Sequence, residues 1–164
     1  MELLRQGDSE GLERMVVENP AAIRFLQGRL WDPDSDIRES AAIALGAAAA
    51  AHPALGRELL RRVLWALNDE SATNGAYMLP AIGEIGRRAP DLVTPFVGPM
   101  TSHLWDEGLR PGILNALCRI AEEAPELIED IRDRLLALGE TDDTGGLECL
   151  DILLAVNREG ADGE

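Results

Sequence analysis

The chain contains no lysine. All fifteen of its basic residues are arginine, which removes Schiff-base chemistry on a lysine and the phosphate-gripping lysine of a P-loop. Compositional bias of a GC-rich coding sequence is the simplest origin of that absence. Aromatic residues are also scarce: three Trp, two Phe and one Tyr in 164 residues. With β-branched residues sparse as well, strands are under-supplied, and the apolar content, mostly Ala, Leu and Ile, suits closely packed helices. Only Cys118 and Cys149 occur. They form no C-x-x-C pair and no disulfide framework, so reduced thiols and a cytoplasmic location are expected. No stretch approaches the roughly 20 uninterrupted apolar residues of a membrane span. The start of the chain, Met1 to Asp8, lacks the basic region and apolar run of a signal peptide. Positive charge is in deficit, with a formal net charge of −15. That disfavours nucleic acid and anionic membranes and favours a basic partner or divalent cations.

What the chain does have is punctuation. Pro20, Pro53, Pro90 and Pro125 stand 33, 37 and 35 residues apart. Periods in the thirties with two helical segments each mark a solenoid. Eight residues before these prolines come Leu12, Leu45, Ile82 and Leu117; five before the last two come Ile85 and Ile120; two after the last three come Leu55, Leu92 and Leu127. Such spacing lines one face of a helix and resumes after the proline. Proline fits the first turn of a helix, where its missing N–H costs nothing, and it stops the helix before it.

Each unit therefore reads as helix, acidic loop, helix, proline. First helices are expected over about 20–31, 54–67, 91–105 and 125–138, and second helices over about 9–18, 35–51, 74–88, 109–123 and 144–157. The fold expectation is all-α: a right-handed α-α superhelix of about four helix pairs with an N-terminal capping helix. Residues 1–158 form one domain and 159–164 a frayed tail.

Residues 32–46, Asp-Pro-Asp-x-Asp-Ile-Arg-x-x-Ala-Ala-x-Ala-Leu-Gly, resemble the HEAT-like repeat of the phycobilisome-lyase type. In that family the acidic turn caps the second helix, the arginine lies on its first turn, and Ala-Leu-Gly packs against neighbours. Trp65 to Ser71 followed by Pro80 to Ile85 is similar to a small group of bacterial HEAT-like proteins. There a glycine-rich turn and a tryptophan precede the proline; here Gly75 and Tyr77 take those places.

The loops joining paired helices hold Asp32, Asp34 and Asp36; Asn68, Asp69, Glu70 and Ser71; Asp106 and Glu107; and Glu140, Asp142 and Asp143. Stacked at about 10 Å, the packing distance of helices, they would form an acidic ridge. Trp31, Trp65 and Trp105 enter three of these loops. Taken singly, the acids are expected to cap helix starts and to oppose the dipole there. At least two of the three indoles are expected to pack in the core. Taken as a set, acids and indoles look like a docking strip for an Arg/Lys-rich segment.

The second unit is irregular, because Pro80 falls inside its would-be second helix. That helix must kink or begin late. Asn68, Asp69, Glu70, Ser71, Asn74, Tyr77 and Glu84 are the polar groups that could converge there, unless the segment is simply a capped, kinked helix. Glu84 and Arg119 share a register and are expected to pair, a contact worth at most about 1 kcal/mol if exposed.

Catalytic constellations are weak. His52 and His103 belong to no H-E-x-x-H pair. Asp32-x-Asp34-x-Asp36 begins like a calcium loop, but the positions needing Gly and Glu hold Ile37 and Ile43. Cys118 stands where other units have Gly46 and Gly83, as a small residue at a close helix contact. The expectation is a non-enzymatic scaffold or adaptor, with no cofactor and no metal, that binds another protein through the acidic loop edge, the second-helix face, or both, with Trp65, Asn68, Asp69, Glu70, Ser71, Asn74, Tyr77, Glu84, Trp105, Asp106 and Glu107 as the candidate contacts. The alternatives are a cofactor-handling relative of bilin lyases, with an apolar pocket near Tyr77 and Trp65, and an oligomerisation module. If the register is right, Leu117→Ala will cost about 2–5 kcal/mol, as buried leucine truncations do, read as a shift in the denaturant midpoint.

Overall fold

The computed structural model describes residues 8–68, 73–133 and 135, with Ser9, Thr73 and Asn74 described by backbone alone. All regular structure among them is helical. In order come α1 (Ser9–Glu18), a 3₁₀ turn (Pro20–Ala22), α2 (Ile23–Arg29), α3 (Ser35–Ala51), α4 (Pro53–Leu67), α5 (Thr73–Ala76), α6 (Leu79–Arg88), α7 (Pro90–Thr101), α8 (Arg110–Ala121) and a second 3₁₀ segment (Pro125–Ile131). The expected helix at 144–157 and the acidic loop at 140–143 lie outside the described residues.

Proline sets most of the starts. Pro20, Pro53, Pro80, Pro90, Pro111 and Pro125 all occupy the first turn of their element. Pro80 therefore kinks nothing. The helix expected over 74–88 is split into α5 and α6 by a turn at Tyr77 and Met78, and α6 begins late. In α7 two prolines, Pro95 and Pro99, lie inside the helix on its exposed side. Each removes a backbone donor where water can replace it.

The elements form two layers. α3 packs most extensively on α6, α6 on α8, and α1 on α3. The other layer holds α4 against α7 and α7 against the second 3₁₀ segment. Leu12, Leu45, Ile82 and Leu117, the residues at matching distances from the prolines, are all buried, as are Ile85 and Ile120. Leu55 departs from the pattern: it is 39 % exposed, at a gap between α2 and α4.

Small side chains let the α3, α6 and α8 layer close tightly. Ala41, Ala42, Ala44, Ala48 and Ala49 of α3 are buried. A Cβ added at Gly46 would lie 2.8 Å from the Glu84 carbonyl oxygen, and one at Gly83 would lie 3.0 Å from Ala116 Cα. Cys118, expected as a free thiol at such a contact, is buried but disulfide-bonded; Cys149, the chain's other cysteine, lies outside the described residues.

Two glycines make the packing testable. Gly46→Ala drives a methyl into backbone that cannot swing aside, and will cost about 1–3 kcal/mol by overpacking. Gly28, on α2, has nothing within 4 Å of an added Cβ. Gly28→Ala will gain about 0.5–1 kcal/mol from helix propensity alone. Thermal melts of the two variants should move in opposite directions.

Candidate interaction edge

The loop between α2 and α3 is built from its own acids. Asp32 accepts from the Asp34 amide at 3.2 Å and pairs with Arg29 at 3.3 Å. Asp34 caps α3 by accepting from the Asp36 amide at 2.9 Å. Arg38, on the first turn of α3, donates through Nη1 to the carbonyls of Asp32 and Pro33 at 2.7 and 3.0 Å. Arg110 repeats this arrangement on α8, donating to the carbonyls of Leu104 and Trp105 at 2.8 and 3.5 Å. Asp106 Oδ1 accepts from the amides of Gly108 and Leu109 there. Arg38 and Arg110 stand equally far ahead of Pro53 and Pro125. The matching position ahead of Pro90 is Gly75, where an added Cβ would meet the Leu67 side chain at 2.7 Å. The capping role expected of single acids thus describes Asp34; Asp106 closes the turn ahead of α8, whose N-cap residue, Leu109, has no capping side chain.

The indoles do not pack in the core. Trp65 is 75 % exposed, Trp105 71 % and Trp31 40 %. Trp31 lies just after α2, Trp65 near the end of α4 and Trp105 just after α7. Tyr77, 42 % exposed, sits in the turn between α5 and α6 with its ring 6.5 Å from Trp31, inclined at 46°. The break before Pro80 opens a cleft of about 350 Å³ beside it, lined by Ser35, Arg38, Glu39, Ala76, Tyr77 and Pro80. Trp65 does not line this cleft, and charged groups interrupt its wall. Asn68 is exposed and donates from Nδ2 to the Leu64 carbonyl at 2.8 Å, closing the end of α4. Glu107 is exposed. Asp69, Glu70, Ser71 and the Asn74 side chain lie outside the described part of the molecule.

Glu84 does not join a surface cluster. It is 2 % exposed and is the centre of a chain of charges across the layer. Its Oε1 accepts from Arg119 Nη1 of α8 at 2.8 Å, and its Oε2 from Arg87 Nη2 at 2.9 Å. Arg119 continues to Glu39 of α3 at 2.9 Å. Arg88 reaches Glu13 of α1 at 2.7 Å and lies 3.7 Å from Glu84. The expected Glu84–Arg119 pair is present, but buried at its acidic end and not exposed. Burial acts to lower the Arg87 pKa; its hydrogen bond to Glu84 and the charges of Glu84, Glu122 and Glu123 outweigh that and raise it. A raised pKa on a cation gives stability that is lost only as pH climbs through it, well above the working range. Arg87 therefore keeps its charge throughout that range.

Two features were not legible beforehand. One is a second groove, about 450 Å³, between the first 3₁₀ turn with α2 and the neighbouring α4, lined by Ile23, Arg24, Leu55, Leu59 and Arg62 among others. Phe25, exposed on α2, carries the Arg29 guanidinium 5.2 Å from its ring centre. The only signal for this groove was the short first unit. The other is the link from Arg88 to Glu13, which spans 75 residues and has no local pattern.

Among the described residues, no group of three or more His, Cys, Asp or Glu is placed to hold a metal ion, and no helix is long and apolar enough to cross a membrane. His52 Nε2 contacts the Val17 carbonyl at 2.8 Å, tying the α3–α4 junction to the end of α1. No known protein family matches the chain, and no curated protein or solved structure matches it either.

The charge cluster yields a direct expectation. Glu84→Ala leaves Arg87 and Arg119 without the carboxylate they share. The loss should be about 2–4 kcal/mol, at or below the usual cost of breaking a buried pair because both guanidiniums keep some water. Urea unfolding at neutral pH measures it.

Proposed function

We propose that the protein is a non-catalytic interaction module, a HEAT-like solenoid of right-handed helix pairs that holds another protein against its loop edge. The observation that carries this reading is the exposure of Trp65 and Trp105, each about three-quarters open to solvent. An indole can bury about 150–250 Å², so each leaves on the order of 2 kcal/mol or more of burial unused. Tryptophan is also the residue most enriched where partners bind tightly. The acids of these loops, Asp106 and Glu107 beside Trp105 and Asp34 and Asp36 after Trp31, favour a partner segment rich in Arg or Lys. The matching loop bonds of Arg38 and Arg110 support the repeat reading, because one local solution recurs two units apart.

The cleft beside Tyr77 supports this reading over a cofactor-handling one. It is open and mixed in chemistry, at the lower end of the roughly 300–1,000 Å³ typical of small-molecule sites, and lacks the apolar enclosure that a large ring system needs.

Affinity purification from the native host, with the wild-type chain and Trp65→Ala/Trp105→Ala as baits, tests the proposal. At least one protein should be enriched by the wild type, released by moderate salt, and lost at least tenfold in the double variant, with helical circular dichroism unchanged. Recovery of the same proteins by both baits would sink it. Sedimentation that shifts with the chain's own concentration, and depends on the same tryptophans, would make the surface a self-association face instead.

A further inference from the structure

Resting on the interaction-module reading, we infer that the cleft between the start of α3 and the α5–α6 break receives a single arginine side chain of the partner, stacked on Tyr77 and paired with Glu39. Three observations converge on that chemistry. The first is shape: the cleft is about 350 Å³ and half open, with Ala76 and Pro80 as apolar wall and the Tyr77 ring as a flat face. Trp31, inclined at 46° and 6.5 Å away, extends the aromatic surface. A planar cation stacks on such a face far better than a compact ammonium does.

The second is charge. Glu39 lines the cleft with its side chain 47 % exposed, and Asp34 and Asp36 flank Ser35 on the same turn, both open to solvent. Arg119 meets Glu39 from the α8 side at 2.9 Å, which fixes the carboxylate and leaves further lone pairs for a second donor. The third is the state of the one cation in the lining. Arg38 is turned toward the α2–α3 loop, where its Nη1 serves the carbonyls of Asp32 and Pro33. The positive end of α3 is likewise already met by Asp34 at the cap and Asp36 in the first turn. Glu39 is thus the carboxylate in the lining, and Asp34 and Asp36 on the adjoining turn add negative charge just outside it.

The test uses the full chain, labelled with ¹⁵N, and a capped pentapeptide with a central arginine, compared with the same peptide carrying citrulline, an uncharged analogue of the same shape. The arginine peptide should shift the Trp31 indole signal and the amides of 35–39 and 76–77, with an apparent affinity at least tenfold above the citrulline peptide. Tyr77→Ala should lose at least tenfold and Tyr77→Phe should retain binding, which keeps the result readable if the alanine variant folds poorly. Equal binding of the two peptides, shifts confined to other surfaces, no shifts at all, or full binding by a folded Tyr77→Ala would each overturn the inference. Trp65→Ala/Trp105→Ala should bind the peptide normally. If partner capture still depends on those two tryptophans while the peptide result fails, the cleft alone is wrong; if capture is indifferent to them while the peptide binds as described, the cleft stands and the indole edge falls.

Discussion

The close approach of α3, α6 and α8 is the constraint on which the rest of the molecule depends. It exists because Gly46 and Gly83 present no side chain at the crossing points and because alanine fills most of the buried face of α3. At that distance the Glu84 carboxylate cannot reach water and must find cations within the layer. Arg119, Arg87 and, at longer range, Arg88 supply them, and Glu39, Glu122 and Glu13 respectively balance these arginines. The result is a line of alternating charges that ties four helices of one layer together. A cluster of this type adds less net stability than an apolar replacement of equal volume could, but it penalises any sliding of one helix past the next.

Much of the architecture was legible in the chain because its signals are local and periodic. Leu12, Leu45, Ile82 and Leu117 repeat in register, and each is in the core. Proline marks element starts because its chemistry acts within one turn, and for that reason Pro80 marks a start too. Reading it as an interruption assumed that the helix before it was continuous. The fate of the tryptophans was not legible. An indole at the end of a helix such as α4 has the same sequence context whether a neighbour covers it or not, because coverage is decided by tertiary packing. The burial of Glu84 was hidden for a similar reason. Its i+3 and i+4 arginines look like an ordinary exposed helix pairing, and only the glycine contacts turn them inward.

The candidate site is accordingly a surface defined by what the fold leaves uncovered. The helices use their apolar residues almost completely, so the large aromatics that remain outside are conspicuous against a chain with six of them. Trp31 and Tyr77 lie together because the turn before Pro80 brings the second unit's aromatic up to the first unit's loop. Irregularity in one unit thus creates the only described place where two exposed aromatic rings meet.

The turns at 30–34 and 102–109 are each fastened from outside by an arginine on the next helix, through main-chain oxygens. Such a fastening fixes length as well as shape, since an added residue would carry the carbonyls out of reach of Arg38 or Arg110. Loop closure alone would charge an insertion only about 0.6 kcal/mol for each doubling in length. At these two turns the cost is larger, because the added residue also unfastens the start of a helix. Chain length is therefore a specified quantity at both, and an engineer wishing to graft a binding loop or label would avoid them.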